Sequence, residues 1–114
     1  MTGNLIKLVD LVKEELEKAN TKHKPVFNST HEYYAVLMEE IEEADTDFRA
    51  IGQLNIDLWN YIKHDTYGKI HEVNKEIAIK TANCIHELIQ VIAMTEKFKQ
   101  SFEPPEKVEI DKNY

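Results

Sequence analysis

Residues 31–43 read HEYYAVLMEEIEE, and this glutamate-rich stretch indicates the fold more clearly than any other part of the chain. Ser29 precedes it as a residue that can cap a helix, and Glu32 follows three residues later as the partner of a capping box. Apolar residues then recur at helical spacing, which predicts a helix that begins directly after Ser29. Gly52 leaves open whether residues 30–64 form one helix or two.

The remainder of the chain shows the same helical periodicity. An amphipathic helix is predicted over residues 4–20, a loop over 21–28, a turn at 65–68 and a long helix over 70–101. The last helix is apolar nearly all round, which predicts a central position. No alternation typical of strands continues beyond a few residues. We therefore predict an all-α bundle of three to four main helices, completed by oligomerisation to a homodimer or homotetramer.

Composition limits the class of protein. The 114 residues suit one domain, which we assign to residues 1–102, followed by a flexible charged tail at 103–114. A hydrophobic fraction of 42% and a charged fraction of 31% are typical of a soluble globular chain. The net charge of −7 argues against nucleic-acid binding, which needs a basic patch.

The cellular compartment is predicted from cysteine usage and hydropathy. Cys84 is the only cysteine, so an intrachain disulfide is impossible, and a buried, inert thiol is expected. No uninterrupted apolar run approaches the roughly 20 residues that a membrane span needs. These features predict a cytoplasmic protein that does not bind membranes.

Helical geometry assigns the faces of the second helix. At about 100° per residue, its inward face is expected to carry Tyr33, Leu37, Ile41 and Ala44, with Glu42 in solvent. Other glutamates of the stretch lie at the border of this face, where a carboxylate can turn towards the interior of the bundle.

Five polar residues form the candidate site. Glu40 and Glu43 stand three residues apart, so their carboxylates can converge on one ion. Glu87 lies within the apolar last helix, on a polar ridge with Asn83 and Gln90. Carboxylate and amide oxygens are hard ligands, so Glu40, Glu43 and Glu87 are predicted to bind Mg²⁺, or alternatively Mn²⁺. Gln90 or Asn83 would complete or orient the site.

Several further residues receive candidate roles, each beside a simpler interpretation. Glu39 is the candidate base for an attacking water, although an exposed glutamate cluster is also typical of a solvated helix face. Tyr33 and Trp59 could stack on a nucleobase, with core packing as the alternative. Lys63 and Lys80 could approach phosphates, with a solvated surface position as the alternative.

Two local strings resemble a known family. Residues 27–44, FNSTHEYYAVLMEEIEEA, resemble the first signature of the MazG-like all-α nucleotide pyrophosphohydrolases found in phages and prophages. Residues 87–94, ELIQVIAM, resemble the second signature. The resemblance extends over roughly residues 5–98. It implies a Mg²⁺-dependent enzyme that cleaves a nucleoside or deoxynucleoside triphosphate to the monophosphate and pyrophosphate, in a bacterial or phage-infected cell.

The resemblance also implies residue roles. In the wider superfamily the pattern Glu-Glu-x-x-Glu is followed by Glu-x-x-Asp, and Glu39, Glu40, Glu43 and Glu87 match its first four acidic positions. The final Asp is replaced by Gln90, whose amide brings no charge, so weaker Mg²⁺ binding is expected. The stretch between the two signatures is also longer than in many members. The alternative function is therefore a weak or inactive relative that binds a nucleotide or a protein.

Overall fold

The chain forms three long α-helices. The computed structural model describes residues 2–102, with their side chains from residue 7 onward. The helices are α1 (Thr2–Lys22), α2 (Thr30–Lys63) and α3 (Tyr67–Ser101), and no strand occurs among the described residues. The all-α prediction is confirmed. The helix α2 runs unbroken through Gly52, which settles the open question in favour of one helix. The predicted tail lies outside the described residues.

The start of α2 follows the predicted capping pattern with one difference. The backbone N–H of Glu32 donates to Ser29 Oγ at 3.1 Å, as the N-cap assignment requires. The Glu32 carboxylate accepts from the backbone N–H of Asn28 at 3.0 Å and from its Nδ2 at 3.1 Å. In the predicted capping box the carboxylate would accept the N–H of Ser29 itself. The observed contact therefore holds Asn28, one residue further into the preceding loop, against the start of α2.

The turn between α2 and α3 is tighter than the sequence predicts. Asp65 takes the left-handed conformation with φ of 52°. Its N–H bonds to the carbonyl of Ile62 at 3.1 Å, and the N–H of Thr66 bonds to that of Tyr61 at 3.0 Å. These two bonds define a Schellman motif, in which the left-handed position is usually glycine. The expected turn at 65–68 is therefore too late, since α3 already begins at Tyr67.

The described helices divide into two compact units, and each contains part of α2 and α3. The first comprises the residues up to Leu37 and those from Ile89 onward. Its buried core residues are Val12, Leu16, Phe27, Ile89, Ala93 and Met94. Tyr33 packs there between two phenylalanines, with ring centroids 5.4 Å from Phe27 and 4.6 Å from Phe98. The ammonium of the buried Lys97 lies 4.7 Å from the centroid of the Phe27 ring, a favourable cation–π geometry.

The second unit, Met38–Leu88, is a helical hairpin with a small core. Of its residues, only Ala44, Val73 and Cys84 are buried. The burial of Ala44 and Cys84 matches the sequence prediction. The inward assignment of Ile41 is wrong, because its side chain is 48% exposed. Two helices cover only one face of each other, so an apolar stripe wider than that contact stays in solvent.

The helix α3 contributes most of the buried residues but is not covered on all sides. Ile85, Leu88 and Ile92 are all exposed, which corrects the expectation of a helix buried all round. By length and composition alone α3 is apolar enough to cross a membrane, a property it shares with core helices of soluble proteins. Charged residues interrupt the apolar residues of α3, so it contains no uninterrupted apolar run of that length.

Candidate metal centre

A buried contact sets the register of the two helices of the hairpin. The thiol of Cys84 on α3 donates to the backbone carbonyl of Ala44 on α2, with 3.5 Å between sulfur and oxygen. Because the helices run antiparallel, a residue three positions after Cys84 faces the region three positions before Ala44. Glu87 therefore faces the turn of α2 that carries Glu40 and Glu43.

The three carboxylates converge. One oxygen from each of Glu40, Glu43 and Glu87 lies within 4.8 Å of the others. Glu40 and Glu87 are half-buried, whereas Glu43 is exposed. The cluster is thus open to solvent on the side of Glu43 and closed by the helix contact on the other. The sequence expectation that these three residues converge agrees with this geometry.

Side-chain interactions link the three carboxyl groups of the cluster. Glu40 and Glu43 each form a side-chain hydrogen bond with Glu87. Three carboxyl groups this close repel one another when ionised, which favours the protonated form of Glu40 and Glu43.

Each raised pKa has a physical cause. Burial raises the pKa of Glu40, and the charges of Glu43 and Glu39 raise it further, against the opposing hydrogen bond from Glu87. The pKa of Glu43 is raised first by its hydrogen bond with Glu87, then by desolvation and by the nearby charges. A cation would relieve the repulsion in both cases.

Two residues that the sequence analysis did not place at the site act on it electrostatically. The charge of His86 lowers the pKa of Glu40, and the charge of Asp47 raises that of Glu43. His86 directly precedes Glu87, and Asp47 follows Glu43 by four residues, or one helical turn. Helical spacing from Glu43 would have found Asp47, and adjacency to Glu87 in the sequence would have found His86.

The predicted nucleotide-binding residues are not brought to the cluster. Trp59 and Lys63 stack on each other at the end of α2, with 5.5 Å between the ammonium and the ring centroid. At about 1.5 Å per residue, Trp59 lies roughly 24 Å along the helix from Glu43. Tyr33 is half-buried in the aromatic core of the first unit. The simpler interpretations, packing for Tyr33 and a surface position for Lys63, agree better with these positions. Core packing, the alternative for Trp59, is wrong, because its side chain is 58% exposed.

The remaining candidates lie along the helices that carry the cluster. Glu39 is exposed on α2 beside Glu40. Asn83 is exposed one turn before Glu87, and Gln90 is half-buried three residues after it, within the first unit. Lys80 is half-buried on the same face of α3 as Glu87, two turns earlier. Lys80 is therefore better placed than Lys63 to meet a group held at the carboxylates.

The first unit contains an apolar groove without an acidic cluster. Its volume is about 330 Å³, and α1 and α3 line it. The lining residues are Leu8, Val9, Val12, Lys13, Leu16, Ile92, Glu96 and Gln100. One lysine among mainly aliphatic side chains is a poor match for a triphosphate, so the groove is not the candidate site.

Comparisons of the chain with protein-family models, with curated proteins and with solved structures found no match. Functional assignment therefore depends on the convergent carboxylates and on the local resemblance of the two sequence strings.

Proposed function

We propose that the chain is a Mg²⁺-dependent nucleoside triphosphate pyrophosphohydrolase, which releases a nucleoside or deoxynucleoside monophosphate and pyrophosphate. The observation that carries the proposal is the convergence of Glu40, Glu43 and Glu87 within 4.8 Å. Together with Glu39, these residues match the acidic positions of the MazG-like pattern in residues 27–44 and 87–94. A soluble, cytoplasmic MazG-like protein acting on free nucleotides, without nucleic-acid or membrane partners, is part of the same proposal.

The donor set suits a small hard cation. Mg²⁺ takes oxygen ligands at about 2.1 Å in octahedral geometry, which places ligand oxygens about 3–4 Å from one another. The observed spread of up to 4.8 Å is close to this range, so modest side-chain rotations bring the oxygens into position. When bound, Mg²⁺ would neutralise phosphate charge and polarise the attacked phosphorus. Mn²⁺ takes the same ligands and is the alternative ion.

The surrounding residues supply the other parts of the proposed site. Glu39 is exposed beside Glu40, where its carboxylate can accept a proton from a water in the open side of the cluster. Lys80 projects from the Glu87 face of α3 and offers an ammonium to the terminal phosphates. Asn83 offers an uncharged amide one turn before Glu87.

The test is a pyrophosphate-release assay with a panel of nucleoside and deoxynucleoside triphosphates and Mg²⁺. Glu40→Gln, Glu43→Gln and Glu87→Gln keep the size of each side chain but remove its charge. Glu42→Gln is the matched control, since Glu42 is exposed on the same turn and lies outside the cluster. We expect release by the wild type and by Glu42→Gln, and strong loss in the other three. Wild-type release no greater than that of the three cluster variants would refute the enzyme proposal.

The alternative is a weak or inactive MazG-like module that binds a nucleotide or a protein. Gln90 favours it, because the amide stands where the resembling pattern has a charged Asp. Isothermal titration calorimetry with a non-hydrolysable triphosphate separates the two proposals. Nucleotide binding that does not require Mg²⁺, without pyrophosphate release, would support the binding module. If residue 90 is a metal ligand, the Gln90→Asp variant should bind Mg²⁺ more tightly than the wild type in a calorimetric titration.

A further inference from the structure

The apolar groove of the first unit opens to solvent between α1 and α3. Its lining runs from Leu8 to Leu16 on α1 and from Ile92 to Gln100 on α3, so the groove is roughly 12 Å long. Several of its aliphatic side chains remain partly exposed, with Leu8 and Ile92 at 37% and Val9 at 51%. The volume of about 330 Å³ has room for a few aliphatic side chains from an extended segment.

The groove reaches the end of the unit at which α3 ends. The backbone N–H of Phe27, in the loop after α1, donates to Oγ of Ser101, the last residue of α3, at 2.7 Å. The helices α1 and α3 therefore end at the same end of the first unit. Leu16 and Gln100 line the groove at this end. The chain that follows Phe102 thus starts directly beside the groove.

A buried acceptor lies at the same end of the groove. Asn20 is one turn beyond Leu16 on the groove side of α1. Its Oδ1 atom is buried and has no hydrogen-bond partner among the described residues. Buried acceptors are nearly always paired in folded proteins. The residue as a whole is only half-buried, so its amide can turn towards a backbone N–H that enters the groove.

The sequence after α3 has the features that this groove requires. Pro104 and Pro105 cannot continue the helix, so residues 103–105 are suited to a reversal of the chain. Val108 and Ile110 alternate with charged residues, and an extended conformation would place both apolar side chains on one edge. Residues 106–110 would extend over about 16 Å, which is enough to follow the groove along its length.

Charge also favours this segment as the occupant. The groove is lined by one cation, Lys13, and one anion, Glu96. Glu96 is already paired with Lys99, with 3.2 Å between carboxylate and ammonium. The exposed Lys13 therefore favours an acidic occupant. Residues 103–112 contain four acidic side chains and two lysines, which meets this requirement.

We propose that residues 106–110 lie extended in the groove of their own chain, with Val108 and Ile110 packed against its aliphatic walls. An acidic side chain of the segment approaches Lys13, and a backbone N–H donates to Asn20 Oδ1 where the segment enters. The segment then ties α1 to α3 along the groove. The inference is independent of the proposed function, because the groove belongs to the first unit and the carboxylate cluster to the second.

Disulfide trapping in the full chain tests the proposal. Val9→Cys and Ile110→Cys are introduced together and oxidised with diamide, while the native Cys84 is buried. A disulfide forms only when the two Cβ atoms come within about 4.5 Å, so we expect rapid crosslinking within one chain. Glu14→Cys with Ile110→Cys is the matched control. Glu14 is exposed on the opposite side of α1, so crosslinking should be several-fold slower.

Charge reversal tests the electrostatic part of the proposal. Lys13→Glu, added to the Val9→Cys, Ile110→Cys protein, should slow crosslinking because it repels the acidic segment. Lys7→Glu makes the same change in net charge on the opposite side of α1 and should leave the rate unchanged. Equal slowing by both substitutions would refute the contact with Lys13.

A second position keeps the test decisive if Val9→Cys does not fold by circular dichroism. Ile92→Cys places the thiol on the α3 wall of the groove, and the same contrast with Glu14→Cys is expected. Equal rates at groove and control positions would overturn the proposal. A crosslinked product of twice 13.3 kDa would show that the groove receives a second copy, and would overturn it as well.

Discussion

Cys84 donates its thiol hydrogen to the backbone carbonyl of Ala44, and this buried contact sets the register in which the carboxylates meet. Sulfur is a weak donor, so the bond itself contributes little free energy. The small side chain of Ala44 has the larger effect, because it lets the two helices approach closely at this point. Glu43 is its neighbour in sequence, and Glu87 is one turn from Cys84.

Enlarging the side chain at this contact should destabilise the protein. Ala44→Leu adds three carbons where the alanine is only 6% exposed, so overpacking should lower the free energy of unfolding. The expected loss is roughly 1–3 kcal/mol, measured by urea unfolding. Ala35→Leu is the control, since Ala35 is exposed on the same helix and should change stability by less than about 0.5 kcal/mol. Equal effects at both positions would contradict a close contact at Ala44.

Stability without divalent cations should depend on pH through the carboxylate cluster. The folded chain raises the pKa of Glu40 and Glu43 above 4.5, so it binds more protons than the unfolded chain above that pH. The free energy of unfolding therefore falls as the pH rises from about 4.5 through the raised values. Glu43→Gln should make this decline shallower, whereas Glu42→Gln should leave it unchanged. Identical pH profiles for both variants would contradict the assignment.

Binding of Mg²⁺ should release protons from the cluster. The pKa values of Glu40 and Glu43 are raised above 4.5, so these groups keep protons to a higher pH, and a cation competes with the protons for the same oxygens. Calorimetric titrations with Mg²⁺ in two buffers of different ionisation enthalpy should give different apparent heats. The difference should decrease as the pH rises and the cluster loses its proton beforehand. Heats that do not depend on the buffer at any pH would show that the ion binds elsewhere or not at all.

The cap of α2 predicts a pH dependence of the opposite sign. The backbone N–H of Asn28 lowers the pKa of Glu32 from 4.5, so this carboxylate stabilises the folded chain when ionised. Its contribution is present above pH 4.5 and is lost as the pH falls through the lowered pKa. Glu32→Gln should reduce stability near neutral pH and remove this part of the acid dependence. Glu17→Gln, exposed on α1, is the control and should do neither.

The turn between α2 and α3 offers a stabilising substitution. Asp65 has φ of 52°, a conformation that costs a non-glycine residue about 1 kcal/mol. Asp65→Gly removes this cost at the position where Schellman motifs favour glycine, and should raise the free energy of unfolding by about 0.5–1 kcal/mol. Asp65→Ala keeps the cost and should give no such gain. Thermal unfolding of the three proteins distinguishes these outcomes.

The helices were predictable from the sequence because local signals specify them. Ser29 and Glu32 mark the start of α2, and the apolar periodicity marks its length. The convergence of Glu40, Glu43 and Glu87 was also predictable. Glu40 and Glu43 stand three residues apart on one helix face, and Glu87 is an isolated carboxylate in an apolar helix, which needs a polar partner or an ion.

The errors arise where the partner of a helix face decides the outcome. Ile41 has the spacing of an inward residue, yet the hairpin covers only the neighbouring strip of α2. Trp59 has the aromatic ring that base stacking needs. Its position near the end of α2 nevertheless places it far from the carboxylates. Apolar periodicity indicates which residues need a packing partner, but it does not indicate which helix provides that partner.

The single thiol of the chain also makes the hairpin accessible to kinetic measurement. Cys84 is the only cysteine and is buried between α2 and α3, so an alkylating reagent can reach it only when the helices separate. The rate of alkylation then measures how often the hairpin opens, without any introduced label. Because Glu87 is one turn away, an ion that ties the two helices together through the carboxylates would slow this reaction.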